Sequence, residues 1–429
     1  MEAGAVGYIL FASFFVLLIL NLPVCFALMG ATVVGLMIMD VGTLVPVLMK
    51  MFSGANSWLL LAIPFFIMAG SIMEKGGVTR RLIDFADSLV GFLPGGLAAS
   101  NIVANMFMGG VSGSAVADAS AIGSLMIPAM DQKGYGIKYP SALTASAAPL
   151  GIIIPPSIPM ILWGFCAGLS VADLFMAGFG PGLLVGGSLI AVSTVISIRR
   201  GYKSSTGFSV RTIATKGREG FLALLSPGII IGGILTGIAT PTEAAVLAML
   251  YSLFLALFVY KELEFKDLPK ILVATGRMTA TVMMVIACAS AFSYILTVNN
   301  IPELLTKFFV SLKLSKHMLL LGFVGLFLIL GMFLDANAAI ILTVPIIAPV
   351  IDAAGIDPIV ASLVLITDLA LGLLTPPVGL CVYVVCGITG LKFDDLLSEL
   401  VPFILILFLD IVLLLCFPAI ITTIPMLLK

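Results

Sequence analysis

Residues 108–159 are as apolar as a membrane-crossing segment, yet helix-breaking residues interrupt them twice. The first break is Gly109-Gly110-Val111-Ser112-Gly113-Ser114, and the second is Pro149-Leu150-Gly151 followed by Pro155-Pro156. A break at membrane depth leaves N–H and C=O groups unpaired, which is tolerated only where protein, water or a bound ion satisfies them. The interrupted stretch therefore reads as a binding site.

The same pattern recurs. A shift of 221 positions places Pro128 on Pro349, Asp131 on Asp352, Gly134 on Gly355, Leu150-Gly151 on Leu371-Gly372 and Pro155-Pro156 on Pro376-Pro377. Gly110 falls on Gly331, just before a second break at Leu334-Asp335-Ala336-Asn337. Paired interrupted apolar segments in corresponding halves are the best sequence pointer to the substrate and ion site of a secondary transporter.

A chain that is 61% hydrophobic and 10% charged lies outside the range of soluble domains, whose apolar share is near half. The predicted fold is an all-α polytopic membrane protein. A removable signal peptide is not expected, because the first apolar run leads straight into another at Val24. The six cysteines (Cys25, Cys166, Cys288, Cys381, Cys386 and Cys416) lie in apolar runs without paired histidines and read as small hydrophobes.

Runs of about 20 apolar residues cross a bilayer. In the first half, spans are predicted at 6–20, 24–39, 58–73, 140–168 (broken at 149–156) and 174–198, with an amphipathic connection at 41–56 and an interfacial helix at 79–93. Residues 98–130 carry the Ser-Gly-Ser break near their middle. At about 1.5 Å per residue each half is short for the ~30 Å core, so a re-entrant hairpin is predicted there. The basic segment 199–218 holds Arg199, Arg200, Lys203, Arg211, Lys216 and Arg218. It is placed in the cytoplasm by the excess of Lys and Arg on that side. Lying between two spans, it is not read as a nucleic-acid surface.

The second half, 219–429, repeats the order: spans at 222–238, 244–260, 272–296, 358–388 (broken) and 400–415, an amphipathic piece at 302–312 and a hairpin at 317–350. Five crossings per half is an odd number, so the halves 1–198 and 219–429 would be inverted relative to each other, with both termini external. The first hairpin then opens toward the cytoplasm, where Lys75, Arg80, Arg81, Lys133 and Lys138 cluster. The outer side of that half keeps little more than Lys50, whereas Lys307, Lys313 and Lys316 also fall outside, against the charge rule.

Broken helices supply carbonyl oxygens, and helix N-termini supply N–H groups at a positive dipole end, so one break can hold a cation and an anion together. Ser112, Gly113 and Ser114 form the first predicted tip, faced by Ser146, Ala148, Leu150 and Gly151. Close packing of small residues is the alternative explanation of such a stretch. Carboxylates add a second signal, since a charge inside the membrane costs at least ~2.5 kcal/mol and marks a pathway by default. Asp118 follows the first tip, Asp335 forms the second, and Asp368 precedes the second Pro-Pro pair. Asp335 with Asn337 also suits a helix cap. Asp410 has no counterpart in the first half. His317 and Arg277 read as interfacial and snorkelling side chains. No Walker, phosphate-loop or nucleophile–base pattern is present, so energy would come from an ion gradient.

The tip Val111-Ser112-Gly113-Ser114-Ala115, the run Ile127-Pro128-Ala129-Met130, the segment 153–157 (IIPPS) and the segment 371–379 (LGLLTPPVG) resemble the large membrane subunit of tripartite ATP-independent periplasmic (TRAP) transporters. The resemblance covers essentially the whole chain. It implies a sodium-coupled importer of organic acids in the bacterial inner membrane, working as an elevator, with Na+ as the coupling ion and no organic cofactor. It also implies two partners, a separate small four-helix membrane subunit and a periplasmic substrate-binding protein. Carried over motif by motif, one sodium site would comprise Ser112, Gly113, Ser114, Ala148, Leu150 and Gly151. The other would comprise Asp335, Ala336, Asn337, Leu371, Gly372 and Thr375. Substrate would lie between the tips, against Ser114, Asp335 and the pairs Pro155-Pro156 and Pro376-Pro377. The competing readings are a self-sufficient sodium/dicarboxylate symporter of the divalent anion family, whose doubled Ser-Asn-Thr signature is replaced here by SGS and DAN, and an ion channel with re-entrant loops.

Overall fold

The computed structural model describes residues 3–39 and 44–428; the start of the predicted connection 41–56 lies outside them. All regular structure among the described residues is helical. Among the described residues eight helices are long and apolar enough to cross a membrane, or nine if the bent pair Lys138–Ile153 and Ile158–Ala167, at 41°, is one span. The helices Ala3–Ile19 and Val24–Met39 fall where the first two spans were predicted but are shorter than the eight crossing-length helices.

Local sequence explains most boundaries. Ser170 caps Val171–Arg200, Ser315 caps Lys316–Phe333 and Thr240 forms a reciprocal box with Glu243 at the start of Pro241–Phe254, each side-chain oxygen satisfying an otherwise orphaned N–H. The basic segment is less of a loop than its charge suggests. Ser209 caps a helix, Val210–Leu235, so Arg211, Lys216 and Arg218 are helical and only 201–209 is irregular. Lys216 is held at 3.2 Å from Asp84 and 2.9 Å from Glu219. A further helix, Ala419–Leu428, follows the last predicted span and packs on Val171–Arg200.

The first hairpin is Gly96–Ser112 and Ala115–Met130. Both its ends sit at the basic segment: Ser205 donates its N–H to the Gly91 carbonyl at 2.9 Å, and Tyr202 donates its hydroxyl to the Tyr135 carbonyl at 3.0 Å. The second hairpin is Lys316–Phe333 and Ala336–Ala353, its ends joined by Lys316 Nζ donating to the Gly355 carbonyl at 2.5 Å. Each of its arms reaches the minimum length for a crossing, so length alone would not distinguish two spans from a hairpin. The tips of the two hairpins line one cavity, described below.

Each hairpin lies against a broken span at a glycine-to-glycine contact. A methyl at Gly372 would come within 2.7 Å of Gly331 Cα, and one at Gly109 within 3.0 Å of Gly151 Cα. Backbone cannot yield as a side-chain end can. Gly372→Val is expected to destabilise the purified protein by about 1–3 kcal/mol and lower its Tm, whereas Gly325→Ala, in open space on the same hairpin, leaves the Tm unchanged. Equal melting of both variants would show that the contact does not hold the hairpin.

Candidate functional site

At the first tip Gly113 ends the incoming helix with φ +62°, a left-handed conformation that glycine adopts without a Cβ penalty. A Cβ there would also meet the Pro156 carbonyl oxygen at 2.9 Å. The chain then turns extended at Ser114, whose Oγ accepts the Ala117 N–H at 3.5 Å and caps the returning helix. Ser112 Oγ donates to Asp118 Oδ1 at 2.5 Å and accepts the Ser114 N–H at 3.1 Å. Asp118 is fully buried, and its Oδ2 lacks a hydrogen-bond partner among the described residues. That oxygen rests on Gly151, where any added Cβ would collide with it. Five of the six residues assigned to the first site, Ser112, Gly113, Ser114, Leu150 and Gly151, are thus in one neighbourhood. Ala148 is buried and its carbonyl accepts the Gly151 N–H at 3.0 Å. Sequence reasoning singled out Asp118 without placing it in this site; the apolar run around it was the available signal.

At the second tip Asp335 is extended and caps Ala336–Ala353, Oδ2 accepting the Asn337 N–H at 3.2 Å. Asn337 Oδ1 is buried without a partner among the described residues. Thr375 donates Oγ1 to the Leu371 carbonyl at 2.8 Å, and Val378 donates its N–H to the Met332 carbonyl at 3.2 Å, tying the break to the hairpin. Among the described residues no three His, Cys, Asp or Glu side chains converge, so a cation bound at either tip would be held largely by carbonyl and hydroxyl oxygens. Asp118 Oδ2 and Asn337 Oδ1, one orphaned oxygen per tip, fit such an ion.

Ser114, Asp335 and Asn337 line a shared cavity of about 20 Å³, room for one water-sized species and not for an organic acid. The four prolines are not among its lining residues. Pro155-Pro156 and Pro376-Pro377 are both cis, the first pair buried and the second exposed. A second cavity, of about 240 Å³, reaches Ser112 and Ser114 from the side of Gly70, Ser71, Glu74 and Ser120. Ser71, Glu74 and Ser120 were not anticipated from sequence; Glu74, a carboxylate closing an apolar run, was the one legible hint.

Asp368 is fully buried one turn before the break, with neither carboxylate oxygen hydrogen-bonded among the described residues. Asp410 accepts Ser188 Oγ at 2.5 Å, linking the last long span to Val171–Arg200. Arg277 and His317 are exposed. The cysteines are free, Cys288 and Cys381 buried and Cys416 exposed.

Two polar, helix-broken tips meeting inside an all-helical membrane protein define the class of secondary transporters. The family described as the tripartite ATP-independent periplasmic transporter, DctM component, matches residues 11–420, and the chain belongs to it. It is 37% identical to the C4-dicarboxylate TRAP transporter large permease protein DctM of Pseudomonas aeruginosa, over 88% of each chain. It is 36% identical to the sialic acid TRAP transporter large permease protein SiaM of Vibrio cholerae, over 94% of each. These relatives are permeases, not enzymes. Its fold is similar to that of the YdaH transporter of Alcanivorax borkumensis, with a TM-score of 0.62 at 16% identity, covering 90% of this chain and 89% of that one.

Proposed function

We propose that this chain is the transport subunit of a sodium-coupled importer of a small organic acid. The observation that carries the reading is the meeting of two helix N-termini, capped by Ser114 and Asp335, at one small cavity, each with an orphaned oxygen beside it. Oxygens at the breaks suit Na+, and N-terminal N–H groups suit a carboxylate. The first sodium site comprises Ser112, Gly113, Ser114, Ala148, Leu150 and Gly151, to which Asp118 is added. The second comprises Asp335, Ala336, Asn337, Leu371, Gly372 and Thr375. The relatives' named cargoes, C4-dicarboxylate and sialic acid, support a carboxylate substrate.

The halves 1–198 and 219–429, joined by 199–218, form an inverted repeat whose hairpins and broken spans slide as one body against the remaining helices. The chain lies in the bacterial inner membrane with 199–218 cytoplasmic and both termini periplasmic. A periplasmic binding protein delivers substrate, and a small four-helix membrane subunit completes the assembly.

Proteoliposomes holding this chain and its small subunit, supplied with loaded binding protein, test the reading. Uptake of succinate or sialic acid is expected to need an inward sodium gradient and to vanish when potassium replaces sodium. Each net charge moved inward adds about 2.3 kcal/mol per 100 mV, so a negative-inside potential is expected to accelerate uptake if more sodium charge than substrate charge enters. Equal uptake in potassium would overturn sodium coupling.

A further inference from the structure

A cavity of about 360 Å³, separate from the tips, lies between Val45–Ala55, the end of Leu268–Val298 and the returning arm of the second hairpin. Its size falls within the roughly 300–1,000 Å³ of small-molecule sites. Lys50 is the charged residue among its lining. Among the described residues Lys50 makes no ion pair; its ammonium stands 6.0 Å from the centre of the Tyr294 ring. Ser293 and Tyr294 also line the cavity, and neither side-chain hydroxyl has a hydrogen-bond partner among the described residues. An unpaired ammonium beside two uncommitted hydroxyl donors is complementary to a carboxylate.

The chain path sets which face this cavity serves. The span Trp58–Lys75 ends at Lys75, beside the interfacial helix Val78–Val90 that adjoins the basic segment through Gly91 and Ser205. Val45–Ala55, and Lys50 with it, precedes the other end of that span. Ile341 and Pro345 of the second hairpin line the cavity, while Ser120, which the 221-residue shift places on Ile341, lines the 240 Å³ cavity. One cavity thus lies against the returning arm of each hairpin, the larger carrying Lys50 and the smaller Glu74.

We infer that Lys50, with Ser293 and Tyr294, forms an entry station that captures the carboxylate of the incoming organic acid on the face opposite the basic segment, before it reaches the hairpin tips. This rests on the function proposed above. The bland role for an exposed lysine at a membrane edge is snorkelling, which would leave transport unchanged on substitution.

The test is uptake by the same proteoliposomes, with succinate or sialic acid as the probe. Lys50→Gln is expected to raise KM about tenfold with kcat nearly unchanged, the pattern of lost uniform binding. Lys50→Arg stays within about twofold of the wild type, and added salt weakens the wild type but not Lys50→Gln. Docking of the empty binding protein to the membrane pair, measured by surface binding, is unaffected by Lys50→Gln. An unchanged KM in Lys50→Gln beside active wild type would overturn the entry station alone, as would a loss of docking equal to the rise in KM. Wild type that takes up neither acid down a sodium gradient would overturn the functional reading, and the station with it.

Discussion

Asp335→Ala is expected to abolish sodium-driven uptake while leaving a folded protein in the membrane. Two roles are combined in this side chain. As a cap, Oδ2 accepts the Asn337 N–H, and losing a cap costs about 1 kcal/mol. That is small against the packing of Ala336–Ala353, most of whose side chains are buried. As a charge at membrane depth it costs at least ~2.5 kcal/mol unless compensated, and no ion pair to it occurs among the described residues. A bound cation is the compensation proposed here. Asp335→Asn separates the two roles, since an amide oxygen still caps but carries no charge. Both variants are expected to lose uptake, with Asn nearer the wild-type Tm. Measuring initial uptake against sodium concentration beside thermal unfolding decides it: full uptake by Asp335→Ala would remove Asp335 from the ion site.

How far the sequence discloses such a site depends on what kind of signal each part leaves. Breaks are legible because proline, glycine and serine terminate helices by local chemistry. Gly113, Ser114 and Asp335 do in the structure what their residue types demand. Charge misleads when read as irregular structure: Arg211 and Lys216 belong to the helix that Ser209 starts, because a capped helix at the interface tolerates basic side chains. The helix Ala419–Leu428 was missed because Phe417-Pro418 ends an apolar run that already suffices for a span. Contacts between distant segments leave the least trace. That Asp118 rests on Gly151, or that Glu74 lies in the cavity reaching Ser114, follows from tertiary packing alone. The proline pairs show the reverse error. Their repetition at one offset is a true mark of related local structure, yet Pro155 and Pro156 are buried while Pro376 and Pro377 are exposed, so equivalent sequence did not make equivalent surfaces.

This inequality bears on the other large effect expected, at Asp118. The 221-residue shift places Asp118 on Ala339, and Ser114 on Asp335, so each tip has one carboxylate but from a different position of its hairpin. Asp118 is fully buried, spends Oδ1 on Ser112 and leaves Oδ2 unpartnered against Gly151. An orphaned carboxylate oxygen in that setting is costly, and a sodium ion between the tip and the break would satisfy it. Asp118→Asn keeps an oxygen for the Ser112 hydroxyl while presenting either a neutral oxygen or an N–H where Oδ2 stood. The sodium concentration for half-maximal uptake is then expected to rise tenfold or more, about 1.4 kcal/mol of lost ion binding, with KM for substrate at saturating sodium changing less. Asp118→Ala, which also strands Ser112, is expected to lose stability in addition. If the sodium curve of Asp118→Asn overlays that of the wild type while its Tm falls, the carboxylate braces the tip against the broken span, and the first site must be built from backbone and hydroxyl oxygens alone.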